Sequence, residues 1–205
     1  MRLLYQTHSP YARKVLVLAH ETGLAGRIEV VHHETSPTRR SDAVFALNPL
    51  GKVPVLVTAD GLALFDSTVI CEYLDGLHRG PRMIPEAGPA RWRALRLQAL
   101  AQGLADAGIA LRWETERRPE AVRWAPLAEG QAAKLLAGYD FAEGEVPEEG
   151  PPDIGQIALA SALDWLIFRG LPDFRDGRPR LARWFAAFAA RPSMRATPLS
   201  GQTRD

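Results

Sequence analysis

The sequence predicts an α/β domain followed by an all-helical domain. Three observations carry this expectation. Strand-like and helix-like segments alternate through the first 80 residues, a proline-rich run follows at 81–89, and no strand-like segment recurs after residue 90. The expected boundaries are 1–80 for the α/β domain, 81–89 for a stiff linker and 90–205 for the helical domain.

Leu3 to Tyr5 form a short apolar strand. Ser9-Pro10 then opens a helix, since serine is a favoured N-cap and proline suits the first helical position. Val15, Leu18 and Ala19 share one face of it, and Gly23 is its expected stop. Ile28 to Val31 read as a second strand, which makes a β-α-β opening with a parallel pair. A polar stretch with Pro37 and Arg39-Arg40 precedes a short helix ending before Asn48-Pro49. Two apolar runs, 53–57 and 62–64, are joined by Ala59-Asp60-Gly61, a hairpin signal. From Asp66 onward, Ile70, Tyr73, Leu74 and Leu77 fall at helical spacing. The order is therefore β-α-β, a short helix, then β-β-α.

Between Pro81 and Pro89 three prolines occur in nine residues, a composition that breaks both helix and strand. Beyond it, Leu97, Leu100, Leu104 and Leu111 mark one long helix, and a second is expected over 119–141. An acidic loop containing Pro and Gly follows at 143–152. Ile154, Ala158, Ser161, Trp165 and Phe168 mark a third helix; Leu181, Trp184, Phe185 and Phe188 mark a fourth. Trp92, Trp165 and Trp184 sit at helical spacing with apolar neighbours and are expected in the core.

Composition narrows the function classes. Apolar residues make up 46% and charged residues 24% of the 205, which is ordinary for a globular chain and excludes wholesale disorder. Lys and Arg number 25 against 24 Asp and Glu, so no basic excess points to nucleic acid or an anionic membrane. No apolar run approaches the roughly 20 residues that span a bilayer. The first residues lack a signal-peptide core, and the expected location is cytoplasmic. The lone cysteine, Cys71, excludes an intrachain disulfide and a paired-cysteine zinc site; it reads as a small buried hydrophobe. His32 and His33 are adjacent on a strand and point to opposite faces, and no metal site is expected. His8 is expected at the surface.

Three segments carry chemistry. In His8-Ser9-Pro10-Tyr11-Ala12-Arg13-Lys14, the Ser9 hydroxyl lies among unpaired N–H groups at the positive end of a helix. Such a place stabilises an anion, a thiolate included; simple helix capping also accounts for it. The positions match a glutaredoxin-type Cys-Pro-Tyr-Cys site with serine and alanine in place of the cysteines, which removes any self-contained disulfide cycle. In Asn48-Pro49-Leu50-Gly51-Lys52-Val53-Pro54-Val55-Leu56, a proline at a strand entrance removes a ladder donor. A cis bond before Pro54 explains it and leaves the Val53 backbone to pair with a peptide ligand; an ordinary turn into an edge strand also fits. In Leu64-Phe65-Asp66-Ser67-Thr68, a carboxylate and a hydroxyl at a helix entrance either cap that helix or hold an amino-acid zwitterion.

In order and spacing, these segments resemble the N-terminal domain of the glutathione S-transferase superfamily, in particular a bacterial group with Ser-Pro-Phe/Tyr-x-Arg-Lys and Asn-Pro-x-Gly-Lys-Val-Pro-x-Leu motifs. The linker and helical half extend the resemblance over essentially the whole chain. It implies a thioredoxin-like domain followed by an all-helical glutathione-transferase domain. By the same resemblance, Ser9 donates a hydrogen bond to the glutathione sulfur, Val53 before cis Pro54 pairs with the cysteinyl backbone, and Asp66 and Ser67 hold the γ-glutamyl end. Lys52 meets the glycyl carboxylate, and Asp106 reaches the glutathione of a partner subunit. Tyr11, Arg112 and Trp113 line a second-substrate pocket. Glutathione is then a co-substrate, the partner molecule a small electrophile, the assembly a homodimer and the role detoxification. A binding or scaffold protein that keeps this fold without turnover is the alternative. One departure stands out: Gly150 occupies the place of the Ser/Thr in the family's Ser/Thr-x-x-Asp helix start, which ends here at Asp153.

Overall fold

In the computed structural model, which describes residues 1–147 and 150–201, the chain divides into two units. The first holds Met1–Glu86 together with the residues from Pro192 onward, and the second holds Ala87–Arg191.

The first unit begins with β1 (Arg2–Tyr5), α1 (Pro10–Glu21), β2 (Glu29–His32), α2 (Asp42–Phe45), β3 (Val55–Val57), β4 (Ala63–Leu64) and α3 (Ser67–Asp75). The strands form one mixed sheet in the order β2-β1-β3-β4, with β1 parallel to β2 and antiparallel to β3. Alternation along the strands divides the apolar residues between two faces. Leu4 and Val55 pair across strands and cluster with Val44 of α2 and with Val53. Leu3 and Leu56 pair on the opposite face and are fully buried. Helices α1 and α3 pack on each other, and Ala12, Val15, Leu18 and Ala19 of one and Ile70, Cys71 and Leu74 of the other are all fully buried. The hairpin turn closes as expected, with Thr58 N–H donating to Leu62 O at 2.9 Å and Gly61 at φ 88°.

After α3 the chain is fastened back by Asp75. Its buried carboxylate accepts from the backbone N–H of Met83 at 2.8 Å and of Ile84 at 3.1 Å, and lies 3.0 Å from His78 Nε2. The Arg82 guanidinium donates to the Asp75 carbonyl. The proline-rich run is thus held by specific bonds to a buried acid as well as by its own stiffness.

The second unit is helical: α4 (Gly88–Arg112), a π-helical continuation (Trp113–Arg117), a 3-10 turn (Glu120–Val122), α5 (Ala125–Glu145), α6 (Ile154–Phe168) and α7 (Pro179–Ala189). Helix α6 is buried continuously from Ile154 to Leu163, which makes it the centre of the unit. It approaches α4 closely because residue 155 is glycine: a Cβ there would stand 2.5 Å from Ala94 O. Helix α7 has no cap from its own preceding residues. Glu143 of α5 supplies one, accepting from Arg180 N–H at 3.1 Å and Leu181 N–H at 2.6 Å.

Several expectations are corrected here. The second helix of the helical part begins at Ala125, with Pro126 inside its first turn, because the stretch after Pro119 closes only a 3-10 turn. The cap of α6 is Asp153 itself, which accepts from Gln156 N–H at 2.9 Å, so Gly150 is not needed for capping. The stretch expected as an acidic loop is helical up to Glu145, and its residues 148 and 149 lie outside the described residues. Trp92 is 68% exposed on the first turns of α4, while Trp165 is buried as expected.

The residues beyond Pro192 belong with the first unit, not with the helical one. There α8 (Pro192–Arg195) packs on α1. Arg13 donates to Met194 O at 3.2 Å, and the Ser193 hydroxyl donates to Glu21. Among the described residues no helix is long and apolar enough to cross a membrane, and no group of three or more His, Cys, Asp and Glu could hold a metal ion.

Candidate functional site

Sheet register gathers three loops at one end of the first unit. Leu4 pairs with Val55 in antiparallel sense, so the exit of β1 lies beside the entrance of β3. Leu56 pairs with Leu64, so the exit of β4 lies at that end as well. The segment carrying Ser9, the segment carrying Lys52, Val53 and Pro54, and the segment carrying Asp66 and Ser67 therefore leave the sheet side by side.

Ser9 is the N-cap of α1, with φ −89° and ψ 121°. Its oxygen accepts from Ala12 N–H at 3.2 Å, which leaves the hydroxyl proton available to an acceptor outside the helix. Its own N–H donates to Gln6 O at 3.1 Å, closing a tight turn over residues 6–9. Tyr11 lies half-buried in the first turn of α1. His8 is only 6% exposed, against the expectation of a surface histidine, and a Cβ built on Gly201 would stand 3.8 Å from its Nδ1. Arg13 and Lys14 are buried too, and burial pushes the Arg13 guanidinium down to about 10. Cys71 is fully buried, and desolvation raises its thiol to about 11 against an opposing pull from Lys14.

The second loop is braced from within. Asn48 Oδ1 accepts from Leu50 N–H at 3.0 Å, while its Nδ2 donates to Lys52 O at 2.9 Å. Thr35 donates to Gly51 O at 2.9 Å. Gly51 has φ 63°, a conformation that favours glycine, and a Cβ there would overlap the Phe45 ring. The Val53–Pro54 bond is cis, as the sequence suggested. Val53 and Pro54 are buried, whereas Lys52 is exposed.

In the third loop Asp66 is the N-cap of α3 and accepts from Thr68 N–H at 2.9 Å. The Phe65–Asp66 bond is also cis. Ser67 follows as the first helical residue, 1% exposed, and its hydroxyl has no hydrogen-bond partner among the described residues. Such a group favours a ligand that supplies the missing bond.

The remaining expected residues, Asp106, Arg112 and Trp113, lie in the helical unit. Asp106 is exposed on α4, and Trp113 is half-buried where α4 turns π-helical. Arg112 is already engaged, its Nε and Nη2 donating to Glu116 Oε2 at 3.1 and 2.8 Å. Buried Glu114, not singled out from the sequence, fixes this end of the helix: it pairs with Arg118 at 2.8 Å and accepts from Trp124 N–H. Thr35 and Asn48 brace the second loop without a site role assigned to them from the sequence; the signal for Asn48 is the Asn-Pro-Leu-Gly run, an asparagine that folds back on its own turn.

Comparison with known proteins fits this arrangement. The profile of the glutathione S-transferase N-terminal domain matches residues 8–77, and that of the glutathione S-transferase C-terminal domain matches residues 92–187. The chain is 32% identical over 202 residues to the uncharacterized GST-like protein YibF of Escherichia coli (strain K12), covering 96% of this chain and 98% of that one. A crystal structure of a glutathione transferase family member from Pseudomonas fluorescens Pf-5, with bound glutathione, is 40% identical with a TM-score of 0.93, covering 98% of this chain and 99% of that one. A glutathione S-transferase from Methylobacillus flagellatus KT, also with glutathione bound, is 34% identical with a TM-score of 0.83, covering 97% and 99%. With both halves matched and relatives of this identity spanning its length, the chain belongs to the glutathione S-transferase family.

Proposed function

We propose that this protein is a glutathione transferase of the Ser-Pro-Phe/Tyr-x-Arg-Lys type, which binds glutathione and activates its thiol for attack on a small electrophile. The juxtaposition of the Ser9 hydroxyl, the cis Val53–Pro54 turn and the Asp66–Ser67 helix entrance at one end of the sheet carries this reading. Glutathione-bound relatives at 34–40% identity support it.

Glutathione lies along that end as an added strand. The Val53 backbone pairs with its cysteinyl residue, and Pro54 holds the turn that presents that backbone. Asp66 receives the γ-glutamyl ammonium, and the Ser67 hydroxyl gains its missing bond from the γ-glutamyl carboxylate. Lys52 meets the glycyl carboxylate, and in a homodimer Asp106 reaches the glutathione of the other subunit. The thiol gives up its proton to solvent, and the thiolate is held by the Ser9 O–H and the positive end of α1. Serine stays neutral at working pH, so it donates a hydrogen bond and does not act as a base. The thiolate attacks the electrophilic carbon, a carbon–sulfur bond forms, and the leaving group departs with the bonding electrons. Tyr11, Arg112 and Trp113 hold the electrophile, with Arg112 exchanging its Glu116 partner when an anionic group arrives. The setting is cytosolic and the role detoxification, with no metal in the reaction.

Calorimetric titration of glutathione into wild type and Ser9→Ala, with thiolate absorbance followed against pH, tests the reading. Binding by both proteins, with the thiol pKa depressed only in wild type, is the expected result. No detectable binding to wild type overturns it in favour of a fold kept for a protein partner.

A further inference from the structure

The end of the described chain returns to the loop that carries Ser9. Ser200 N–H donates to Thr7 O at 3.1 Å, and the Thr7 hydroxyl donates back to Ser200 O at 2.9 Å. The two residues are 193 positions apart, yet both polar groups of Thr7 named here are committed to this one partner. Gly201 follows at φ 83°, and a Cβ there would stand 3.2 Å from Thr7 Oγ1 and 3.8 Å from His8 Nδ1. The chain is therefore hydrogen-bonded to Thr7, two residues before Ser9, with Gly201 beside it.

This segment is fixed at its other end as well. Helix α8 is tied to α1 by the Arg13 to Met194 and Ser193 to Glu21 bonds. Thr197 is buried and donates to Ser193 O at 2.9 Å, so the direction in which the chain leaves α8 is set. Residues 196–201 thus span from the body of α1 to the turn in front of it.

Ser9 itself stands outside the helix, in extended conformation, and is restrained by the Ala12 N–H on one side and by the 6–9 turn on the other. A hydroxyl that stabilises a thiolate must hold its position within a fraction of an ångström. Thr7 lies inside that turn, and the hydrogen bond its side chain makes is solvent-exposed. An exposed bond of this kind contributes little to global stability but fixes local geometry.

We propose that residues 196–201 form a strap whose Thr7–Ser200 bridge positions the Ser9 hydroxyl, making Thr7 and Ser200 positioning residues for thiol activation. The inference rests on the glutathione reading above. If the docked strap favours the Ser9 position that glutathione needs, linkage makes the coupling reciprocal: glutathione slows hydrogen exchange at the Ser200 amide, and loosening the strap weakens thiolate stabilisation.

The test uses the full chain as wild type, Thr7→Val, which removes the hydroxyl at nearly constant shape, and Ser200→Pro, which removes the N–H. Thiolate absorbance of bound glutathione is followed against pH, alongside the unfolding midpoint and the exchange rate of the Ser200 amide in wild type with and without glutathione. The expected result is retained binding and an unfolding midpoint close to wild type in Thr7→Val, with the thiolate-to-thiol ratio at a given pH reduced about threefold, half a unit in the thiol pKa. Ser200→Pro should show the same loss, and glutathione should protect the Ser200 amide in wild type. If Ser200→Pro fails to fold, Thr7→Val decides alone. A wild-type thiolate-to-thiol ratio in Thr7→Val with binding intact overturns the strap and leaves the glutathione reading standing. Absence of binding to wild type overturns both.

Discussion

Replacing Asp75 should destabilise the first unit without touching the residues assigned to glutathione. The carboxylate is 3% exposed and accepts from two buried backbone donors, Met83 N–H and Ile84 N–H, as well as lying beside His78. In Asp75→Ala both amides are left without an acceptor, at about 1–3 kcal/mol each, so a loss of about 3 kcal/mol is expected once partial hydration is allowed for. At roughly 2–4 °C per kcal/mol for a chain of this size, the midpoint should fall by about 6–12 °C. Asp75→Asn keeps one acceptor oxygen and turns an NH2 group toward the other amide, so it should lie between wild type and alanine. Two units need not unfold together; the reaction of buried Cys71 with a thiol reagent during heating reports on the first unit specifically. An unchanged onset of Cys71 labelling in Asp75→Ala, or an asparagine variant weaker than the alanine one, would refute the assignment of the clamp to these two hydrogen bonds.

Gly51→Ala should lower glutathione affinity, because a left-handed alanine costs about 1–2 kcal/mol and its Cβ displaces the Phe45 ring beneath the loop before Pro54; calorimetry against wild type checks this. Glu143→Gln weakens the cap that α5 lends to α7 and should cost about 1–2 kcal/mol in denaturant unfolding of the helical unit, with the thiol pKa of bound glutathione unchanged. Cys71 sets an alkaline limit on stability. Its thiol ordinarily ionises near 9.0 and is raised to about 11 in the fold, so the unfolded chain loses the proton first. Stability is therefore fully present below pH 9 and declines as pH climbs toward 11, by about 3 kcal/mol in total. Cys71→Ala should flatten that decline when unfolding is measured between pH 8.5 and 10, below the range where Arg13 adds an opposite slope.

Local structure is legible in the sequence where one residue does one backbone task. Ser9-Pro10 starts α1, Asp66 starts α3 and Pro54 follows a cis bond, each because the chemistry of that residue fits few other conformations. It is not legible where two residues compete for one task. Pro119 and Pro126 both resemble helix starts, and only the second has a full helix after it. Gly150 and Asp153 both suit an N-cap, and the carboxylate prevails because it can bond Gln156 N–H. Trp92 shares the helical spacing of its apolar neighbours, but periodicity alone does not say that residues near a helix start have anything to pack on. The Thr7–Ser200 bridge leaves no local signature at all, since hydroxyl and amide groups 193 residues apart are ordinary loop residues until the fold brings them together.

The first unit is discontinuous: its sheet comes from the beginning of the chain, while α8 and the segment after it come from the other side of the helical unit. During synthesis the ribosome must release the whole of residues 87–191 before the last piece of the thioredoxin-like unit emerges. Until then α1 lacks the hydrogen bonds that Arg13 makes to Met194 O and Glu21 makes to the Ser193 hydroxyl, and the helical unit has its complete set of helices first. The half that comes off the ribosome first is therefore the half that finishes folding last. A recombinant fragment cut at residue 86 reproduces that unfinished nascent state.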